Sequence, residues 1–482
     1  MKKLLIIPFL FFILSANAAT YWVTPRGLDT NDGQDSSSTG AWLTWQKAFS
    51  TAIAHDTVYF RGGTYATTVT NGNGLRIANS GTAGNYICFW AYQPDYEAGN
   101  YPTLDCTASG LNAYSENDGI RVFNRSYLHF KGLQVINVRG PVDEAYVCNG
   151  IAGWYINDVI FENCIVHDID GVGFAMFNFT TVYLTNCDAY NCGNVTHEIL
   201  PGASGTGIAV VSGPAAYSNA YSYVKGCRAW NNSDQGFTNG GGAGYAVFDS
   251  CWAWDNGNLA GNLYGNGSGF KYSYIWTPST TDSIVLVKNC IAAKNLCHGF
   301  TGNDHYAWEG NYSTYNCFSY DNGDGWENLT YTNHIAEYGY VNYAPDNESP
   351  GFGRVWANNL AYDNYTGAYY NFGGTVTQTT NSWNTPPGIT VNAADFASLD
   401  YTQLAGARQA DGSLPVITFG QLSDVSQAID KGTDVGIAYG GTAPDLGAFE
   451  YGATYAIKTD KWNYLRHNGK IVTHNGKPVI VR

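Results

Sequence analysis

Lys271 stands at a position that recurs through much of the chain, and what it can do depends on the neighbours that recurrence gives it. A glycine followed by an apolar residue returns as Gly173-Phe174, Gly207-Ile208, Gly236-Phe237, Gly269-Phe270, Gly299-Phe300 and Gly325-Trp326. The residue after each pair is Ala175, Ala209, Thr238, Lys271, Thr301 and Glu327. If the apolar residue faces a core, the alternation of an extended chain turns the next one outward. The column then holds one lysine between two threonines. Lysine is ordinarily a solvated cation with a pKa of about 10.4, and that is the plain reading. Lowered by burial or by nearby cations, the amine becomes a Brønsted base. Such a base can take the C5 proton of a uronate, with loss of the O4 substituent by β-elimination. His298, just before Gly299-Phe300, could hydrogen-bond a carboxylate or act as an acid, although a lone histidine is more often structural. Asp304-His305 and Glu327 fall farther along the same face, and an insertion at 193–205 brings His197 and Glu198.

The column can exist only if the chain repeats in space, and a recurring cysteine says that it does. The phrases are Phe161-Glu162-Asn163-Cys164, Leu184-Thr185-Asn186-Cys187, Val224-Lys225-Gly226-Cys227, Phe248-Asp249-Ser250-Cys251, Val287-Lys288-Asn289-Cys290 and Tyr315-Asn316-Cys317. Successive cysteines lie 23, 40, 24, 39 and 27 residues apart, a solenoid period stretched in places by insertions. Five residues later comes an asparagine (Asn232, Asn256, Asn295, Asn322), and Asn364 keeps the register after Asn359 replaces the cysteine. The runs between turns are too short for ordinary helices and are rich in Thr, Tyr and Val, which favours strands. Strands recurring once per coil stack as a parallel β-helix, with equivalent residues about 4.8 Å apart. The expected fold is therefore all-β, a parallel β-helix. Six of the eleven cysteines form an internal ladder and stay reduced. A disulfide among Cys88, Cys106, Cys148, Cys192 and Cys297 is left open. Tyr190, Trp230, Trp254, Tyr320 and Tyr362 also share one repeat position, either as a structural ladder or as a platform for sugar rings.

The ends and the charge set further bounds. Residues 1–18 have the form of a secretory signal: Lys2-Lys3, an apolar run from Leu4 to Leu14, and Ala16-Asn17-Ala18. The expected product is secreted or periplasmic, with no membrane span. A leading strand at Tyr21-Trp22-Val23 and a short capping helix within Trp42–Ala54 precede the first rung at Asp56–Tyr65. The repeat decays after Trp383, so 19–450 reads as the β-helix unit. The basic segment 451–482 is separate, and its two Asn-Gly-Lys turns at Asn468 and Asn475 predict a small β extension. A net charge of −15 argues against a nucleic-acid partner. The same charge weighs mildly against a polyanionic substrate unless cations gather in the groove. Yet exported β-helices most often handle polysaccharides, and a monomer acting on a polysaccharide is expected.

The stretch from Gly226-Cys227 to Gly236-Phe237, followed by Gly265-Asn266-Gly267-Ser268-Gly269-Phe270-Lys271, resembles the family 9 polysaccharide lyases. The likeness extends from Tyr21 to the closing Pro444-Asp445-Leu446-Gly447-Ala448-Phe449-Glu450. It implies a right-handed parallel β-helix with Lys271 as catalytic base, acting on pectate or a related uronan. It also implies calcium bound by several aspartates, and here the chain departs from the family. Thr206, Gln235 and Thr238 occupy aspartate positions and become candidates for substrate contact, together with Thr301 and His298. Only Asp234 keeps a carboxylate, and one carboxylate is a poor match for an ion that wants six to eight oxygens. Two other readings stand beside the lyase: an inverting hydrolase using carboxylates such as Asp234, Asp304 and Glu327, and a carbohydrate-binding β-helix without catalysis.

Overall fold

Each coil of the chain makes three short strands, and single residues of unusual conformation make the corners between them. The residue before every ladder position is left-handed: Asn163, Asn186, Gly226, Ser250, Asn289, Asn316 and Asn358 have φ between 51° and 61°. Asparagine and glycine adopt this conformation most readily, which explains the recurring Asn-Cys phrase. A second left-handed column, Asn191, Asn231, Asp255, Lys294, Asp321 and Asp363, precedes the asparagine ladder. The computed structural model describes residues 18–452 except 70–72, 111–116, 141–147, 213–219, 240–243, 273, 276–283, 303–307, 310, 325–337, 344–353 and 373–374, together with short strands between 463 and 481.

Stacking these coils produces a right-handed parallel β-helix with three long sheets, of 12, 10 and 10 strands among the described residues. The first sheet runs from Thr20–Val23 to Val376–Thr379, the second from Gly63–Ala66 to Leu360–Tyr362, and the third from Leu75–Arg76 to Gly367–Phe372. The pairings within all three are parallel and in register, so each sequence repeat becomes a column. Phe237, Phe270, Phe300 and Tyr340 stack in the core with ring centroids 4.8, 4.9 and 5.0 Å apart. The six ladder cysteines are buried beside one another, and all eleven cysteines are free thiols, so the open question of a disulfide among Cys88, Cys106, Cys148, Cys192 and Cys297 resolves as none.

The asparagine ladder is a continuous chain of amides. Asn232 donates to Asn256 at 2.9 Å, Asn256 to Asn295 at 2.8 Å, Asn295 to Asn322 at 2.9 Å and Asn322 to Asn364 at 3.0 Å. Cys192 takes the same position one coil earlier, where its N–H donates to Asn232 at 3.1 Å. The aromatic row is a structural ladder: Tyr190, Trp230 and Trp254 stack face to face at 4.3 and 4.7 Å. Their faces are spent on one another, which removes them as a sugar platform. Ala293 interrupts the row before Tyr320 and Tyr362.

One rung was misplaced by the sequence pattern. Phe300 pairs with Tyr340, and Thr301 with Val341. The next pair in register is therefore Gly339-Tyr340, not Gly325-Trp326, and Val341 takes the place expected for Glu327. Both pairs fit the local phrase, and only coil closure distinguishes them. Glu327, Asp304 and His305 lie outside the described residues.

The helix Trp45–Thr51 closes the N-terminal end. Thr44 caps it by accepting the Lys47 N–H, and Trp45, Ala48 and Phe49 are buried against the first coils. At the other end the chain turns back. Phe396, Leu404, Ile417, Phe419 and Leu446 pack on Trp252, Trp254, Ile291, Phe318 and Leu360 of the second sheet. Val435 and Ile437 pack on Tyr221, Tyr223 and Leu286 of the first. The apolar cluster on the outer face of the third sheet contains no residue of 384–450 among those described. In 451–482, Arg466–His467 pairs with Lys470–Ile471 and Thr473–His474 with Lys477–Pro478, both antiparallel; the two Asn-Gly pairs themselves lie outside the described residues.

Candidate active site

The third sheet carries the Lys271 column on its outer face. From coil to coil the register runs Arg121, Ala152, Ala175, Ala209, Thr238, Lys271, Thr301. Phe270 and Tyr272 on either side of Lys271 are buried, while Lys271 is half-buried. Lys271 is thus held by two inward aromatic anchors, with Thr238 and Thr301 each about 4.8 Å away along the stack. Rigid neighbours of this kind fix the root of a side chain better than a loop does.

The column before the glycine adds Thr206, Gln235, Ser268 and His298 on four successive coils. All four are buried. The Thr206 hydroxyl donates to Gln235 Oε1 at 2.7 Å. Thr301 is also buried, at 3% exposure, and its hydroxyl donates to the Gly302 carbonyl at 2.7 Å. Lys271, Thr238 and Asp234 are the half-buried members. The sequence-derived candidates therefore meet on one face, but separate into an accessible set and a buried floor.

Asp234 has structural work. Its carboxylate accepts the Asn266 N–H at 2.9 Å, while its own N–H donates to Gly205. This ties together three coils that carry long excursions. Ser233 donates to Gly202 at 2.7 Å, and Leu263 and Tyr264 donate to Pro201. The 193–205 insertion is thus joined to 257–266 as a ledge beside the column. Within it, His197 Nδ1 accepts the Ile199 and Leu200 N–H groups.

Calcium does not fit these residues. At the positions where carboxylates would be needed, two neutral side chains bond to each other, and Asp234 is committed to a turn. Among the described residues no group of three or more His, Cys, Asp or Glu side chains is placed to hold a metal. A hard cation bound there by one carboxylate and neutral oxygens lacks the charge balance it requires.

Residues 21–381 match the family described as "Pel9A-like, right handed beta helix region". The chain belongs to that family. Pectate lyase L of Dickeya chrysanthemi is 28% identical over 445 residues, spanning 89% of this chain and 90% of that protein. The crystal structure of pectate lyase Pel9A superposes with a TM-score of 0.69 at 25% identity, covering 90% of this chain and 96% of that one. A structure of a rhamnogalacturonan lyase shares the fold, with a TM-score of 0.62 at 22% identity over 84% of this chain and 97% of that one.

Within this Pel9A-like chain the sequence pattern missed two things. Ser268 and Asn266 support the column without standing out in the sequence. The column also extends backward to Arg121 and Arg76, which pair in register on adjacent coils. The signal was present: Gly119-Ile120 and Gly150-Ile151 continue the glycine-apolar phrase toward the N-terminus.

Proposed function

We propose that this polysaccharide lyase cleaves a uronate-containing chain of pectate or rhamnogalacturonan type by β-elimination, with Lys271 as the base. The observation that carries the reading is the placement of Lys271. It is the one lysine in its column among the described residues, half-buried, on a sheet whose outer apolar cluster includes no described residue of 384–450. Its neutral amine takes the C5 proton; the C–H electron pair becomes the C4=C5 double bond as the C4–O4 bond breaks. The O4 alkoxide leaves with a proton from solvent, and the product carries an unsaturated uronate at its new end. Thr238, half-buried one coil away, is placed to contact the sugar. Thr206, Gln235, His298 and Thr301 hold the floor from below.

The unit 19–450 supplies every group named, so a monomer suffices, with 451–482 as an appended extension. Export is inferred from the signal-like residues 1–18. Among the described residues no helix is long and apolar enough to cross a membrane.

Incubation with polygalacturonate and with rhamnogalacturonan tests the reading. The expected result on one of them is growth of the ultraviolet absorbance of unsaturated uronate. Lys271→Ala is expected to lower kcat by about 10²–10⁴-fold, the usual contribution of a general base. Saturated reducing ends without that absorbance would replace the lyase by a hydrolase. No product from any uronan would sink the reading.

A further inference from the structure

We propose that the N-terminal end of the third sheet carries a second sugar-binding site, which takes a carboxylate-bearing segment of the same polysaccharide several residues away from Lys271. The proposal rests on the uronan reading for the identity of its ligand. Its own basis is a cluster that the proposed chemistry does not use.

Arg76 and Arg121 pair across adjacent coils, and Arg125 follows in the next turn. All three line one open cavity of about 430 Å³, beside Gln46 and Ser50 of the capping helix. Three guanidinium groups together are unusual in a chain of net charge −15. The structure also holds them in place. Arg125 Nε donates to the Ile77 carbonyl at 3.0 Å and Nη1 to the Asn124 carbonyl at 2.8 Å. Arg121 Nε is engaged by Asp118, a buried carboxylate that also accepts from Asn149 at 2.8 Å. Burial raises the Asp118 pKa, although the Arg121 guanidinium opposes it. Arg76 is exposed. Guanidinium groups recognise carboxylates through paired, directed donors.

A second feature points to sugar rather than to a small anion. Phe123 is 51% exposed and lines both the arginine cavity and an adjoining one of about 430 Å³. Tyr155, 45% exposed, meets it edge to face at 5.6 Å, and Asn157 and Asn178 border the second cavity. An open aromatic face rimmed by amides suits the C–H face and hydroxyls of a pyranose, and the arginines suit its carboxylate. Arg121 and Lys271 stand five coils apart in one column, or about 24 Å at the spacing of stacked strands. A pyranose advances a chain by roughly one such spacing, so about five sugars separate the two sites.

Size-fractionated oligogalacturonides and rhamnogalacturonan oligosaccharides, titrated calorimetrically into the Lys271→Ala protein, test the site without turnover. Long oligomers are expected to bind at least about tenfold tighter than short ones, the factor supplied by one charge-assisted hydrogen bond. Arg76→Glu and Phe123→Ala change exposed side chains and should leave the fold intact by circular dichroism. Each is expected to abolish the advantage of length, and Arg76→Lys to keep part of it. With Lys271 present, Arg76→Glu should raise KM for long substrates and leave kcat on short ones unchanged. Equal binding of long and short oligomers, or long-chain binding indifferent to both variants, overturns the site. If turnover persists in that case, the lyase reading stands. Binding through Arg76 without cleavage of any polymer by the parent enzyme overturns the lyase reading and keeps the site.

Discussion

Thr206 and Gln235 bear on whether the chemistry proposed at Lys271 depends on a metal. Their side chains are buried, neutral and bonded to each other at 2.7 Å. A divalent cation there would displace that bond and find one carboxylate, Asp234, to balance its charge. Lyase activity is therefore expected to persist in excess chelator and after exhaustive dialysis. Loss of activity restored by added calcium would show that other groups bind the ion. At this scale Lys271 was legible because the glycine-aromatic phrase fixes which residues point outward. The burial of Thr301 and His298 was not legible. An outward position becomes accessible only if neighbouring coils and excursions leave it uncovered, and no repeat encodes that.

The corners and ladders are the elements that make the column regular. Asn256 illustrates the cost of interrupting one. Its amide donates to Asn295 at 2.8 Å and to the Ala229 carbonyl at 3.1 Å, and its oxygen accepts from Asn232 at 2.9 Å. Removing it strands several buried polar groups, each worth about 1–3 kcal/mol when unsatisfied. Asn256→Ala is expected to destabilise the protein by about 2–5 kcal/mol in urea unfolding. A change within experimental error would mean that the ladder is ornamental. The asparagine spacing was readable from the sequence, and so was the cysteine ladder. The coil after Gly299 was not, because Gly325-Trp326 and Gly339-Tyr340 satisfy the same local rule. Only the pairing of Phe300 with Tyr340 separates them.

On the scale of the whole molecule, the C-terminal segment is held to the solenoid by one buried carboxylate between two arginines. Asp188 accepts from Arg228 at 2.7 and 2.9 Å and from Arg408 at 2.6 Å. Arg228 also donates to the Leu404 and Gly406 carbonyls. Arg408→Ala is expected to cost about 3–5 kcal/mol, the usual effect of breaking a buried pair. Burial alone would raise the Asp188 pKa, but the two arginines outweigh it and bring it down to about 2. Because the folded value lies below the unfolded one, this stabilisation is complete above about pH 4 and fades as pH falls toward 2. The stability difference between the protein and Asp188→Asn should shrink through that window and vanish below it. A difference independent of pH would remove the ionised carboxylate from the account.

The sequence by itself determined the solenoid, its N-terminal cap, its inward and outward columns and the place of Lys271. These follow from a short repeat whose side-chain direction is set by strand alternation and by corner residues that tolerate a left-handed backbone. The tertiary structure decided which two sheets the C-terminal segment packs on, which outward residues are accessible, and where Arg408 meets Asp188 across 220 residues. Those outcomes depend on how an irregular segment folds back over two of three sheets. Its contacts are long-range and particular to this chain, so no local period carries them.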